Sequence, residues 1–198
     1  APQSARRVGG VDELRARLTE RYREPHRRYH DVRHLQEVLA SVDELAEYAD
    51  DQEEVRWAAW FHDAVYDVRR DDNEEQSARL AVSELTGLGR TAAFVDEVAR
   101  LVRLTLDHRP ADDDTPGQLL CDADLAILAA PAERYAEYAA TVREEYEHLS
   151  DEEFRVGRTQ VLERLMEKES LFSTPFARIS WESAARANIS AEMETLTI

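Results

Sequence analysis

Apolar positions recur along this chain at steps of three and four, and no stretch alternates apolar with polar residues over a strand's length. Steps of three and four keep side chains on one face of a helix, whereas a half-buried strand needs a step of two. Val11, Leu14, Leu18 and Tyr22 predict a first amphipathic helix, ended at or just before Pro25. Leu35, Val38, Leu39, Val42 and Leu45 predict a second, entered through Tyr29-His30-Asp31-Val32-Arg33-His34. Residues 53–66, EEVRWAAWFHDAVY, predict a third; it is apolar nearly all round from Trp57 to Val65, which marks it as central and buried. A polar loop, Asp67–Asn73, leads to a fourth helix, with Asn73 as its expected cap and Glu74 and Glu75 in its first turn. Gly87 and Gly89 end that helix, and residues 91–107 are helical again.

After the polar loop Arg109–Gly117, a short apolar helix spans Leu119–Leu128 around Asp122 and Asp124. Pro131 opens a long helix to about His148. Ser150 with Glu153 reads as a capping box for a helix reaching Met166, and Ser180 starts a last one after Thr174-Pro175. The pattern predicts an all-α, single-domain bundle of about eight or nine helices over residues 11–198, behind a flexible leader at 1–10. Only six glycines and six prolines occur, too few for the tight turns of a sheet protein of this size.

Composition narrows the partners. The chain has 198 residues with 42 acidic and 25 basic side chains, giving a net charge of −17. A surface of that sign repels nucleic-acid phosphates, and no basic block offsets it. Apolar residues at 43 % supply a core, so the chain is not disordered. The longest apolar runs are a few residues, so no membrane span is expected. The single cysteine, Cys121, fits a reducing, cytoplasmic setting and reads as a small core residue.

Candidate chemistry gathers on histidines and aspartates. His30 and His34 are four apart and share a helix face. His62-Asp63 ends the most apolar helix, where an unpaired carboxylate is costly unless a cation offsets it. Asp122 and Asp124 sit in the apolar segment LLCDADLAIL and need partners too. Mixed imidazole and carboxylate donors suit a divalent ion of the Mn, Fe, Co, Ni or Zn type, or Mg, better than Ca. Asp122 lies about 200° around the helix from Asp124, so the two cannot face one metal together. His26 and His148 lie in highly polar contexts and read as surface residues.

The order of these parts resembles the HD-domain superfamily of metal-dependent phosphohydrolases: a His on one helix, a His-Asp pair on a later one, and a distant Asp within a helix. Here those are His34, His62-Asp63 in AAWFHDAVYD, and Asp124 in DADLAIL. With YHDVRHL, NEEQSARLA and Thr105-x-x-His108 in the same order, the chain is similar to a bacterial branch described as predicted HD-superfamily hydrolases. The resemblance implies His34, His62, Asp63 and Asp124 as metal ligands, with Asp122 as the fallback. It implies hydrolysis of a small anionic phosphoester, a nucleotide among the candidates, by metal-activated water that Asp63 could also orient. Tyr29-His30…His34 is also similar to the YHNxxHA motif of cyclic-nucleotide phosphodiesterases, which makes His30 the proton-donor candidate. His108 is a second candidate acid, and Glu74 and Glu75 are candidates for contacting water or substrate.

An anionic substrate on an acidic protein predicts cations in the pocket, with Arg33, Arg143 and Arg158 as candidates beside Arg103 and Lys168. The expected state is a monomer or homodimer. Alternative readings are a metal-stabilised nucleotide-sensing module without catalysis and an HD-type iron oxygenase. The oxygenases resemble a pattern with two further histidines before the last Asp, where this chain has only His108.

Overall fold

The computed structural model describes residues 3–45 and 52–197, and these carry ten α-helices and no strand. In chain order they are α1 Gln3–Arg21, α2 Val32–Leu45, α3 Glu53–Phe61, α4 Asn73–Gly87 and α5 Ala92–Leu104, then α6 Thr115–Leu125, α7 Ala132–Glu145, α8 Asp151–Met166, α9 Pro175–Ser180 and α10 Glu182–Leu196. A 3₁₀ turn, Ala126–Ala129, links α6 to α7. None of the helices is long and apolar enough to cross a membrane.

Local chemistry sets the boundaries. Thr91 caps α5 by accepting from the Phe94 N–H, Asp114 caps α6 through Gly117, and Thr174 caps α9 through Ala177. Ser150 and Glu153 form the reciprocal capping box of α8. Gly89 (φ 73°) closes α4: its N–H donates to the Thr86 carbonyl and the Arg90 N–H to that of Leu85. This paired bonding needs a left-handed residue, which glycine adopts without penalty.

Four boundaries differ from the sequence pattern. α1 begins at Gln3, within the stretch expected to be a leader, where Ala and Arg favour helix and the chain continues helical through Gly9 and Gly10; residues 1 and 2 lie outside the described residues. Asn73 does not cap α4. Asp72 holds the cap position, and the Asn73 amide bonds both the N–H and the carbonyl of Asp67, closing the preceding loop. α3 stops at Phe61, so His62 and Asp63 lie in the turn beyond it, and a short helix that the pattern did not predict, α9, precedes the last predicted helix, which begins at Glu182 as α10.

α3 is the buried centre. Val55, Trp57, Ala58, Ala59 and Phe61 are all enclosed, and α2, α4, α5 and α6 pack around it. Truncating the fully buried Phe61 to Ala should cost about 3–5 kcal/mol. α7, α8 and the 3₁₀ turn pack on α10 at the other side of the molecule. A cavity of about 490 Å³ opens between this second group and the ends of α2, α3 and α6.

Candidate metal centre

Four acidic and imidazole side chains converge on one end of that cavity, each delivered by a helix end. His34 stands in the first turn of α2, His62 and Asp63 follow α3, and Asp124 is in the last turn of α6. The Nε2 atoms of His34 and His62 are 3.1 Å apart. Asp63 Oδ2 lies 3.3 Å from His34 Nε2 and 3.1 Å from His62 Nε2. Asp124 Oδ1 lies 3.3 and 3.4 Å from the same nitrogens. Donor atoms of His34, His62 and Asp124 fall within 4.8 Å of one another.

These spacings fit a metal. Bonds of about 2.0–2.2 Å to N and O put neighbouring donors about 2.9–3.5 Å apart across octahedral and tetrahedral angles. The tautomer fits as well: His62 Nδ1 is 2.8 Å from the Ala59 carbonyl, which can only accept, so Nδ1 carries the hydrogen and Nε2 of the neutral ring presents a lone pair. The His34 Nε2 facing that lone pair at 3.1 Å can donate a proton to it or share a cation with it.

The electrostatics say the same. Burial disfavours the charged forms of His34 and His62, but hydrogen bonds and charge from Asp124 and Asp63 outweigh it and raise both imidazoles above their ordinary value. Burial likewise pushes Asp63 and Asp124 up, and the histidines hold both well below the usual carboxylate range. Metal-free, the centre takes up protons to balance its two carboxylates.

An HD-domain family model matches residues 31–127. Residues 31–127 are an HD domain. No curated protein and no solved structure gives a significant match. HD domains bind divalent metals and belong to a superfamily of hydrolases, and the His34, His62 and Asp124 cluster lies inside the matched segment.

The other candidates divide. His30 lines the cavity, with Nδ1 2.7 Å from Glu145 Oε2 and its ring stacked on Tyr66 at 4.1 Å. His108 also lines it, and its Nε2 is 2.8 Å from Asp124 Oδ2, so it orients the ligand oxygen on the other side of that carboxylate. His108 takes φ 51°, a left-handed conformation costing an L-residue about 1–2 kcal/mol, where the chain leaves α5. Glu74 lines the cavity; Glu75 turns to Arg79 and Arg103, at 2.8 and 2.6 Å, and does not reach it. Asp122 is excluded from the centre because its two oxygens accept the N–H groups of Ser173 and Thr174 at 2.8 and 2.7 Å.

The expected cationic pocket is not there. Arg33 pairs with Glu37 and Glu137 on the exterior, and Arg143 binds Asp151 and the carbonyls of Tyr146 and Leu149. Arg103 is taken by Glu75, and Lys168 donates to the His108 carbonyl. In a chain with this acidic excess, most exposed arginines find a carboxylate first. Among the described residues, Arg158 is the one guanidinium on the cavity wall, and Glu192 holds it at 2.7 and 2.9 Å.

Three further residues carry the site, and two of them, Glu145 and Arg27, have no local signal in the sequence. Glu145 is buried and accepts from the N–H groups of Arg28, Tyr29 and His30, each at 2.9 Å, and from the Tyr66 hydroxyl at 3.0 Å. Burial pushes its carboxyl up, but the hydrogen bond and charge of His30 and the backbone donors hold it at about 2. Arg27, with no exposed side-chain surface, donates to the carbonyls of His30, Asp63 and Ala64 and so ties the two segments of the site together. Tyr29 also lines the cavity, and its hydroxyl is the one buried side-chain polar atom among the described residues without a partner. Such an atom calls for a ligand oxygen or ordered water.

Proposed function

We propose that this HD domain belongs to a metal-dependent phosphohydrolase acting on a small phosphoester, with His34, His62, Asp63 and Asp124 holding the ion. The observation that carries the reading is that the two imidazole nitrogens meet each other and one carboxylate oxygen each of Asp63 and Asp124 at 3.1–3.4 Å. A bound divalent ion would polarise the phosphoryl oxygen and supply an activated water. Asp63, on the cavity wall, orients the attacking water. His108 holds Asp124 in place through its second oxygen. His30 gives a proton to the departing oxygen, with Glu145 on Nδ1 fixing the ring while Nε2 remains for the leaving group. Glu74, on the wall, is positioned to accept from a substrate hydroxyl or water.

The partner in this reading is a small molecule. The net charge of −17 opposes a polyanion, and the single buried Cys121 accords with a reducing, cytoplasmic setting. The test is elemental analysis of the purified protein together with a phosphoester panel in Mn, Co, Ni and Mg. Bound metal and activity should disappear together in Asp63→Ala. Activity that survives loss of the metal would overturn the proposal.

A further inference from the structure

Building on the phosphohydrolase reading, the cavity's shape and charge point to its substrate class. Beyond the metal centre the wall is apolar, formed by Leu128, Val142, Leu149, Phe154, Val161 and Leu165 from the 3₁₀ turn, α7, α8 and the link between those helices. The volume of about 490 Å³ is ample for a molecule well beyond a phosphoryl group. A second or third phosphate would find no unpaired cation on this wall. Arg158 is already neutralised by Glu192 and also donates to the Tyr138 hydroxyl at 3.0 Å. The remaining charges there, Glu74 and Glu153, are acidic.

We propose that the substrate is a phosphate monoester with one anionic head and an apolar aryl or alkyl body, the body lying between α7 and α8. Nucleoside di- and triphosphates are disfavoured, because their extra charges would be buried against aliphatic groups and carboxylates. Burial of the body supplies affinity that the missing cations do not.

Gly157 gives the cleanest test. It lines the cavity from α8, and a Cβ built there meets nothing within 4 Å. Gly157→Leu therefore adds apolar bulk at that end without a clash at its Cβ, and it replaces glycine by a better helix former. The metal-loaded protein is titrated calorimetrically with methyl phosphate, 1-naphthyl phosphate and adenosine diphosphate, and hydrolysis of each is followed.

The expected result is at least about tenfold tighter binding of naphthyl phosphate than of either other compound, with that ratio collapsing toward one in Gly157→Leu. A flat series, a preference for the diphosphate, a ratio that Gly157→Leu leaves untouched, or no binding at all would overturn the inference. Selective binding without turnover would sustain the inference while removing the hydrolase reading. Turnover without preference for the apolar body would do the reverse.

Discussion

The two ends of the cavity are built differently. The polar end comes from α2, α3, α6 and the segment after α5, all within the matched HD domain. Most of the apolar end comes from residues 128–165, outside it. At the polar end several groups are held by a second one: His62 by a carbonyl, Asp124 by His108, and His30, just ahead of the matched segment, by Glu145. Apart from Arg158, which Glu192 holds, the apolar end has little such interlocking and is mostly aliphatic and aromatic surface. Chemistry requires donors fixed within fractions of an ångström, whereas an apolar wall requires volume and the absence of charge. The difference implies that ligand changes will be all-or-none and wall changes graded.

The largest expected effect separates two aspartates only two positions apart. Asp124→Asn should abolish stoichiometric metal and lower phosphoester hydrolysis by about 100-fold or more, since disturbing even the groups behind metal ligands costs about 10–100-fold. Asp122→Asn should keep metal and activity while losing about 1–3 kcal/mol of stability, because the amide cannot serve both backbone donors as the carboxylate does. Metal analysis and denaturant melts on the two proteins check this, and matching phenotypes would erase the distinction between ligand and structural carboxylate.

Next comes metal removal. His34 and His62 are raised above their ordinary value in the metal-free centre, so the ion must displace protons. Affinity should rise with pH, and calorimetry in buffers of different ionisation enthalpy should show protons released on binding. The sign for stability follows from the same direction. The protonated histidines stabilise the metal-free fold fully below about pH 6.5, and that contribution is lost as pH rises through their raised folded values. The stabilisation gained on adding metal should therefore grow toward alkaline pH. Metal uptake without proton release would break the picture of one balanced polar end.

A smaller effect is expected at Glu145, which lies outside the matched segment yet serves the polar end. Glu145→Gln should lower turnover by about tenfold or more by loosening the hold on the His30 ring, with metal content unchanged. The carboxyl is held at about 2 against an ordinary 4.5, so its contribution to stability is present above 4.5 and lost as pH falls toward 2. The stability gap between the native chain and Glu145→Gln should close across that interval, measured by thermal melts.

Much of this was legible in residue order. Helical spacing carried the all-α fold, and the Ser150–Glu153 box and the Thr174-Pro175 break sit where the pattern puts them. His34, His62-Asp63 and Asp124 were visible because polar residues in apolar segments need a reason to be there. Glu145 was not, since in REEYEH it looks like any solvent-facing acid. Arg27 was hidden for the same cause among the charges of REPHRR. Arg33 and Arg143 misled, although Arg158 does reach the cavity wall, because local sequence does not reveal which carboxylate a long side chain will reach: Arg33 finds Glu137, more than a hundred residues away.

The sequence by itself determined most of the helices, the Ser150–Glu153 cap and the identity of the polar side chains that apolar segments carry, because those rest on periodicity and on short-range hydrogen bonding. Only the tertiary structure decided which aspartate meets the histidines, which acid orients His30, and that the pocket is apolar where cations were expected. Those outcomes depend on how helix ends far apart in the chain are brought together in space, and on which charges neutralise one another before any ligand arrives.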